Sequence, residues 1–260
     1  SDTYNSYPFG VLRIVEYPKY TVMAEAFPGF IPVSEGIGFV ARKEPDQVDA
    51  LARLVAHETA HQWFPHIVPT AEARGMFFLT ETLVQHVALK VMKQRHTSQE
   101  IREYLETQIQ DYFHMRGRHN KAEAALARTD FAYHVAYRKG LMVMHCLEQL
   151  MGETRLNAAL RSYSQRFAMG GNGFAVSSDL IQELYEHAPA ESRVLLSELL
   201  EKITWYDNRL VSAEMNRETI KLTVETRKFL ATDDGVEVSV GVQLPIEVAL
   251  FDKQGQEIIR

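Results

Sequence analysis

His57-Glu58-Thr59-Ala60-His61 constrains this chain more than any other stretch. It lies near the end of Gln47 to Phe64, a run whose apolar residues recur at helical spacing. Two histidines four residues apart leave the same face of a helix, so both rings can reach one ion. Glu58, between them, can act on a water at that ion without being a ligand. Such a set suits a hydrolytic zinc centre, which has three protein ligands and one open position. The missing ligand must come from another element, so this helix has to pack against a second one that returns to it.

One class of zinc protease takes the third ligand from a His six residues after the second, with a Gly midway. Here those positions hold Ile67 and Phe64, which excludes that class. His66 falls one residue early. The remaining route is a Glu from a following helix, and Glu81 in Leu79-Thr80-Glu81-Thr82-Leu83 is the candidate. It opens a run with apolar residues at Leu83, Val84, Val87, Ala88 and Val91, a helix-type stripe. Pro65 and Pro69 are expected to end the first helix, with Gly75 in the connection. An antiparallel return then brings Glu81 back to the histidines. Glu72, in the connection itself, ranks behind it.

The stretch from His57 to Phe64, followed by Leu79-Thr80-Glu81, resembles the zinc core of the aminopeptidase N family of gluzincins. That family usually places eighteen residues between the second His and the ligand Glu; nineteen stand between His61 and Glu81. Its Asn-Glu-Gly around the ligand reads Thr80-Glu81-Thr82 here. Tyr137-Arg138-Lys139-Gly140 is similar to the family's Tyr-x-Lys-Gly. Ile31-Pro32-Val33-Ser34-Glu35-Gly36-Ile37-Gly38-Phe39 lies where the family carries Gly-x-Met-Glu-Asn. The wording of the last two segments most resembles a bacterial branch whose peptidase domain is fused to permease-like membrane segments.

The resemblance implies a thermolysin-like zincin catalytic domain and hydrolysis of peptide bonds at a free N-terminus. It implies one zinc ion on His57, His61 and Glu81, with Glu58 as general base. Tyr137 would donate a hydrogen bond to the tetrahedral intermediate, with Tyr133 as a rival donor. Glu35 would grip the ammonium of the substrate. Arg138 and Lys139 flank Tyr137; a helix-surface role is the first expectation for them, with a substrate carboxylate as the alternative. Two alternatives stay open: an endopeptidase using the same core, and a non-catalytic zinc module serving a membrane transporter as sensor or docking domain.

Composition narrows the partners. At 260 residues the chain can bury a full core. Its net charge of −6 and lack of a basic block argue against nucleic acid, and the peptide partner is what the resemblance implies. The single cysteine, Cys146, falls on the apolar side of a helical run and is expected to pack. No stretch reaches the roughly twenty apolar residues of a membrane span. With Ser1 in place of a methionine, the chain reads as a piece of a longer protein, and the resemblance to the fused branch implies attachment to a membrane through that parent.

The expected class is α+β. Residues 1–206 are expected to form the catalytic domain, with a small sheet over 10–43 and helices over 46–206. The strands are placed at Val11–Tyr17, Thr21–Phe27 and about Gly36–Arg42, with Glu35 heading the third. The helical runs are 47–64, 77–95, 98–115, 137–151, 154–168, 178–187 and 190–203. Lys221-Leu222-Thr223-Val224-Glu225-Thr226 and Val236-Glu237-Val238-Ser239-Val240 alternate with strand period, so 207–260 reads as a truncated β module. Asp233-Asp234-Gly235 is the expected turn between them.

Overall fold

The computed structural model describes residues 3–21, 23–38, 48–119, 122–216, 219–231, 236–242, 249–252 and 257–259. Near the N-terminus, β1 (Arg13–Tyr17) and β2 (Phe30–Ser34) pair in parallel, with Arg13 opposite Phe30 and Tyr17 opposite Ser34. The expected strand at 21–27 is replaced by two isolated bridges, Ala24 with Val33 and Phe27 with Phe30. The cause is the turn at Pro28-Gly29, where Gly29 takes φ +73° and folds the preceding segment back on β2. Glu35 does not head a third strand; it opens the one-turn helix α1 (Glu35–Gly38). The rest of that expected strand and the start of the first long helix lie outside the described residues, as does the turn at 233–235.

Helices dominate from there to residue 200. α2 (Ala50–Ala60) begins at Asp49, whose Oδ1 accepts the Ala52 N–H at 2.9 Å. It ends before the position expected from Pro65, because Pro65 already disfavours helix at Phe64; 61–67 is a series of turns. A π-helical turn over Phe78–Thr82 leads into α3 (Leu83–Lys93). α4 (Ser98–Arg118) starts with a reciprocal cap between Thr97 and Glu100. A second π-helical turn, His134–Lys139, leads into α5 (Gly140–Met151). α6 (Glu153–Phe167), α7 (Ser177–His187) and α8 (Arg193–Leu200) complete the bundle.

The main core runs through these helices, with Phe64, Phe78, Leu83, Met144 and Tyr163 almost wholly buried. Gly75 fixes the connection between α2 and α3. It takes φ +86°, and a Cβ there would stand 2.2 Å from the Ala127 carbonyl oxygen. The connection is thereby seated on the core.

Strand structure resumes at Thr204, slightly before the expected boundary at 206, because Thr204 and Trp205 already pair with Leu230 and Phe229. β3 (Thr204–Met215), β4 (Ile220–Ala231) and β5 (Glu237–Val240) form an antiparallel sheet with a bulge near Val211. β6 (Leu250–Phe251) and β7 (Glu257–Ile259) make a separate pair. The sheet is tied to the helices by Tyr206, whose hydroxyl donates to Glu198 at 2.7 Å, and by Lys228 on the same carboxylate. Among the described residues no helix is long and apolar enough to cross a membrane.

Candidate metal centre

α2 presents His57 toward the interior, and His61 follows its last residue in right-handed helical conformation. The His61 Nδ1 bonds the Phe64 carbonyl at 2.8 Å, which turns its Nε2 inward. The two Nε2 atoms stand 3.2 Å apart, with the rings at 90°. The first π turn brings Glu81 to them: its Oε2 is 3.5 Å from His57 Nε2 and 3.6 Å from His61 Nε2. Both distances are too long for good hydrogen bonds, and this buried oxygen has no hydrogen-bond partner.

Three ligand atoms at about 2.0–2.1 Å on a tetrahedron stand roughly 3.3–3.4 Å from one another. The observed triangle has that size, and its donor set of two imidazoles and a carboxylate is a catalytic zinc set. The residues therefore fit zinc. Among the described residues, theirs is the one group of three or more His, Cys, Asp or Glu side chains close enough to hold an ion. Glu72, the other candidate ligand, is exposed in the connection.

Charge at the centre is strongly perturbed. Burial lowers the pKa of His57. It works the same way on His61, but the Glu81 carboxylate outweighs it and the net shift is upward. Burial alone would raise Glu81; the two imidazoles and the Tyr137 hydroxyl reverse this and hold it well below the usual carboxylate range. Glu58, 5% exposed, is lifted by burial to about 7, with Glu81 and Glu25 adding to the effect against His61.

Tyr137 lies in the second π turn. Its ring stacks 5.9 Å from His57 on one side and 4.3 Å from Tyr133 on the other. Burial and then Glu81 push its hydroxyl up, so it stays a donor. Tyr133 instead packs between Tyr137 and the Arg138 guanidinium, 5.2 Å from its ring centre. The two cations beside Tyr137 are already engaged. Lys139 meets Glu123 at 2.6 Å, and Arg138 is held by Gln108 and by Asp111 at 3.4 Å.

Glu35 is half-buried at the start of α1 and makes no hydrogen bond or ion pair among the described residues. The acid that acts on Glu58 from the N-terminal segment is Glu25. That segment is fastened to the end of the metal helix. Gln62, fully buried, donates from Nε2 to the Phe27 carbonyl at 2.9 Å and accepts the Gly29 N–H at 2.8 Å. His66 Nε2 meets the Ala26 carbonyl oxygen at 2.9 Å. Glu25 and Gln62 escaped the sequence reading. The available signal was Pro28-Gly29, a turn that folds an acid-bearing segment back on itself.

Known proteins resemble this chain in both sequence and fold. Human endoplasmic reticulum aminopeptidase 2 is 25% identical over 178 residues, 62% of this chain and 18% of that protein. A variant of the M1 zinc metallopeptidase of Deinococcus radiodurans, solved with a Tyr-Ser-Ala substrate, superposes with a TM-score of 0.58 at 18% identity. The match covers 77% of this chain and 41% of that one. Leukotriene A4 hydrolase of Saccharomyces cerevisiae gives a TM-score of 0.60 at 17% identity, covering 76% and 32%. The chain thus spans well under half the length of each of these relatives. The sequence profile described as the peptidase family M1 domain matches residues 2–204. The match takes in every residue of the candidate centre, and the chain belongs to peptidase family M1.

Proposed function

We propose that this chain is the catalytic part of a zinc aminopeptidase, with His57, His61 and Glu81 as the metal ligands. The observation that carries the proposal is the triangle of Nε2, Nε2 and Oε2 with sides of 3.2–3.6 Å, one of whose corners is otherwise unpartnered. Zinc bound there supplies acidity to a coordinated water and polarises the scissile carbonyl. Glu58 takes the proton of the attacking water on its carboxylate and passes it to the departing amine. Its buried setting suits it to carry a proton near neutral pH. The Tyr137 hydroxyl donates to the carbonyl oxygen as negative charge develops, a contribution typically worth about 3 kcal/mol of barrier.

Glu25, rather than Glu35, takes the substrate ammonium. It is exposed, it acts on Glu58, and its segment is clamped to the metal helix. The peptide bound to the Deinococcus relative supports a peptide substrate here. A place beside permease-like membrane segments rests only on the wording at 31–39 and 137–140; fractionating the full natural protein with membranes tests it.

The decisive experiment replaces Glu58 by Gln. Bound zinc is expected to stay near one per chain by elemental analysis while kcat falls roughly 10²- to 10⁴-fold. Undiminished hydrolysis would refute the mechanism, and a wild type that binds zinc but cleaves nothing would favour a docking module. Equal turnover of N-blocked and free peptides would make the enzyme an endopeptidase.

A further inference from the structure

Arg53 stands one turn before His57 on α2, so the two side chains leave the helix from the same face. Its guanidinium is half-buried, lies beside the Tyr104 hydroxyl of α4, and makes its charge felt at His57. Among the described residues it has no ion-pair partner. The nearest acid along the helix, Asp49, is occupied in capping Ala52. Arg138, the other guanidinium near Tyr104, is neutralised by Asp111. Among the described residues, then, one cation without an ion-pair partner stands on the face of the centre, half-buried and suited to a ligand that supplies the counter-charge.

The helix also gives this cation a direction. The segment bearing Glu25 docks beyond His61, through Gln62 and His66. Arg53 lies on the opposite side of the metal pair, nine residues before Gln62, or roughly 13 Å along a helix axis. With the ammonium at Glu25 and the scissile carbonyl at the triad, the leaving part of the substrate runs toward Arg53.

Resting on the aminopeptidase reading, we infer that Arg53 recognises a carboxylate in the leaving part of the substrate. The chain therefore acts preferentially on peptides that carry a carboxylate close after the cleaved bond. The carboxylate is either the C-terminus of such a peptide or an acidic side chain just after the cleaved bond. A planar guanidinium suits this role because it can hold a carboxylate through two parallel hydrogen bonds.

The test compares kcat/KM of the zinc-loaded chain on Ala-Ala against Ala-Ala-amide, and on Ala-Asp-amide against Ala-Asn-amide. Wild type is expected to prefer the acid member of at least one pair roughly ten- to a hundredfold, the effect of one charge-assisted contact. The first pair reports a C-terminal carboxylate and the second an acidic side chain. Arg53→Gln should bring the responding ratio to near one, with Arg53→Lys between. Calorimetric binding of the same peptides to the Glu58→Gln chain reads the selectivity without turnover. Selective binding there, with a wild type that does not cleave, would sink the peptidase reading and leave the role of Arg53 standing. No preference in either pair, or an equal fall on acid and amide in Arg53→Gln, would overturn the inference.

Discussion

Gly140 and Thr82 meet where the two π turns cross. A Cβ on Gly140 would stand 2.4 Å from Thr82 Oγ1 and 2.7 Å from its Cγ2. The same Oγ1 donates to the Ala136 carbonyl at 2.6 Å. Glu81 precedes Thr82 and Tyr137 follows Ala136, so this contact sets the distance between the Glu81 carboxylate and the Tyr137 hydroxyl that faces it. Gly140→Ala should destabilise the chain by about 1–3 kcal/mol through overpacking and lower kcat as Tyr137 shifts. Adding Thr82→Ala should recover part of the stability. Thermal melts of the four chains in a double-mutant cycle check the coupling; strictly additive effects would argue against it.

Metal removal should be visible in stability as well as activity. A ligand present at a hundred times its Kd stabilises the folded state by about 2.7 kcal/mol. Adding chelator is therefore expected to lower the melting temperature, and restoring zinc to raise it. Glu81→Gln should lose most of that zinc-dependent rise, because Oε2 forms one corner of the triangle. If this variant kept the full response, the third ligand would have to be sought elsewhere.

Gln62 links catalysis to the N-terminal segment across 33 residues of sequence to Gly29. Its replacement by Ala leaves the Phe27 carbonyl and the Gly29 N–H without their buried partner. Each such loss costs about 1–3 kcal/mol unless the group regains water, and detaching the segment is how it does so. Amide hydrogen exchange at 24–30 should accelerate, and KM should rise more than kcat falls. Unchanged exchange would mean that the segment is held by other contacts.

His86 gives the fold a pH dependence of its own. Both ring nitrogens are buried without a hydrogen-bond partner, although Glu148 Oε2 lies 3.8 Å from Nδ1. Burial, and then Lys90, Lys93 and His145, lower its pKa from 6.5 to about 3. Between these values the unfolded chain binds a proton that the folded chain does not. The stability is fully present above pH 6.5 and lost as pH falls toward 3, on the order of 1 kcal/mol per pH unit. Urea midpoints of metal-free chain between pH 7.5 and 5 should show this decline. His86→Leu should flatten it, and parallel curves for the two chains would refute the assignment.

The sequence made parts of this site readable for physical reasons. His57 and His61 obey the helix period, and Glu81 precedes a regular apolar stripe, so their meeting required only two helices and a turn at Gly75. The π turns were not readable, because one widened turn leaves no periodic trace. The strand at 30–34 carries a weak signal, because Pro32 removes a ladder donor. Glu35 rests on local pattern alone, which carries no trace of Glu25. What fastens Glu25 near the centre is Gln62, a contact between distant parts of the chain.

The two widened turns have a further consequence for how such a chain tolerates change in length. A π turn holds one residue more than an α turn, which is also the excess of the 61-to-81 spacing over the usual family value. Deleting a residue within 78–82 or 134–139 would regularise the backbone there. It would also re-aim the side chains inside that turn, Glu81 in one case and Tyr137 in the other, while the flanking helices keep their faces. Drift in these two places can proceed by substitution, whereas insertions and deletions belong in stretches such as 170–173, where no side chain aims at the metal.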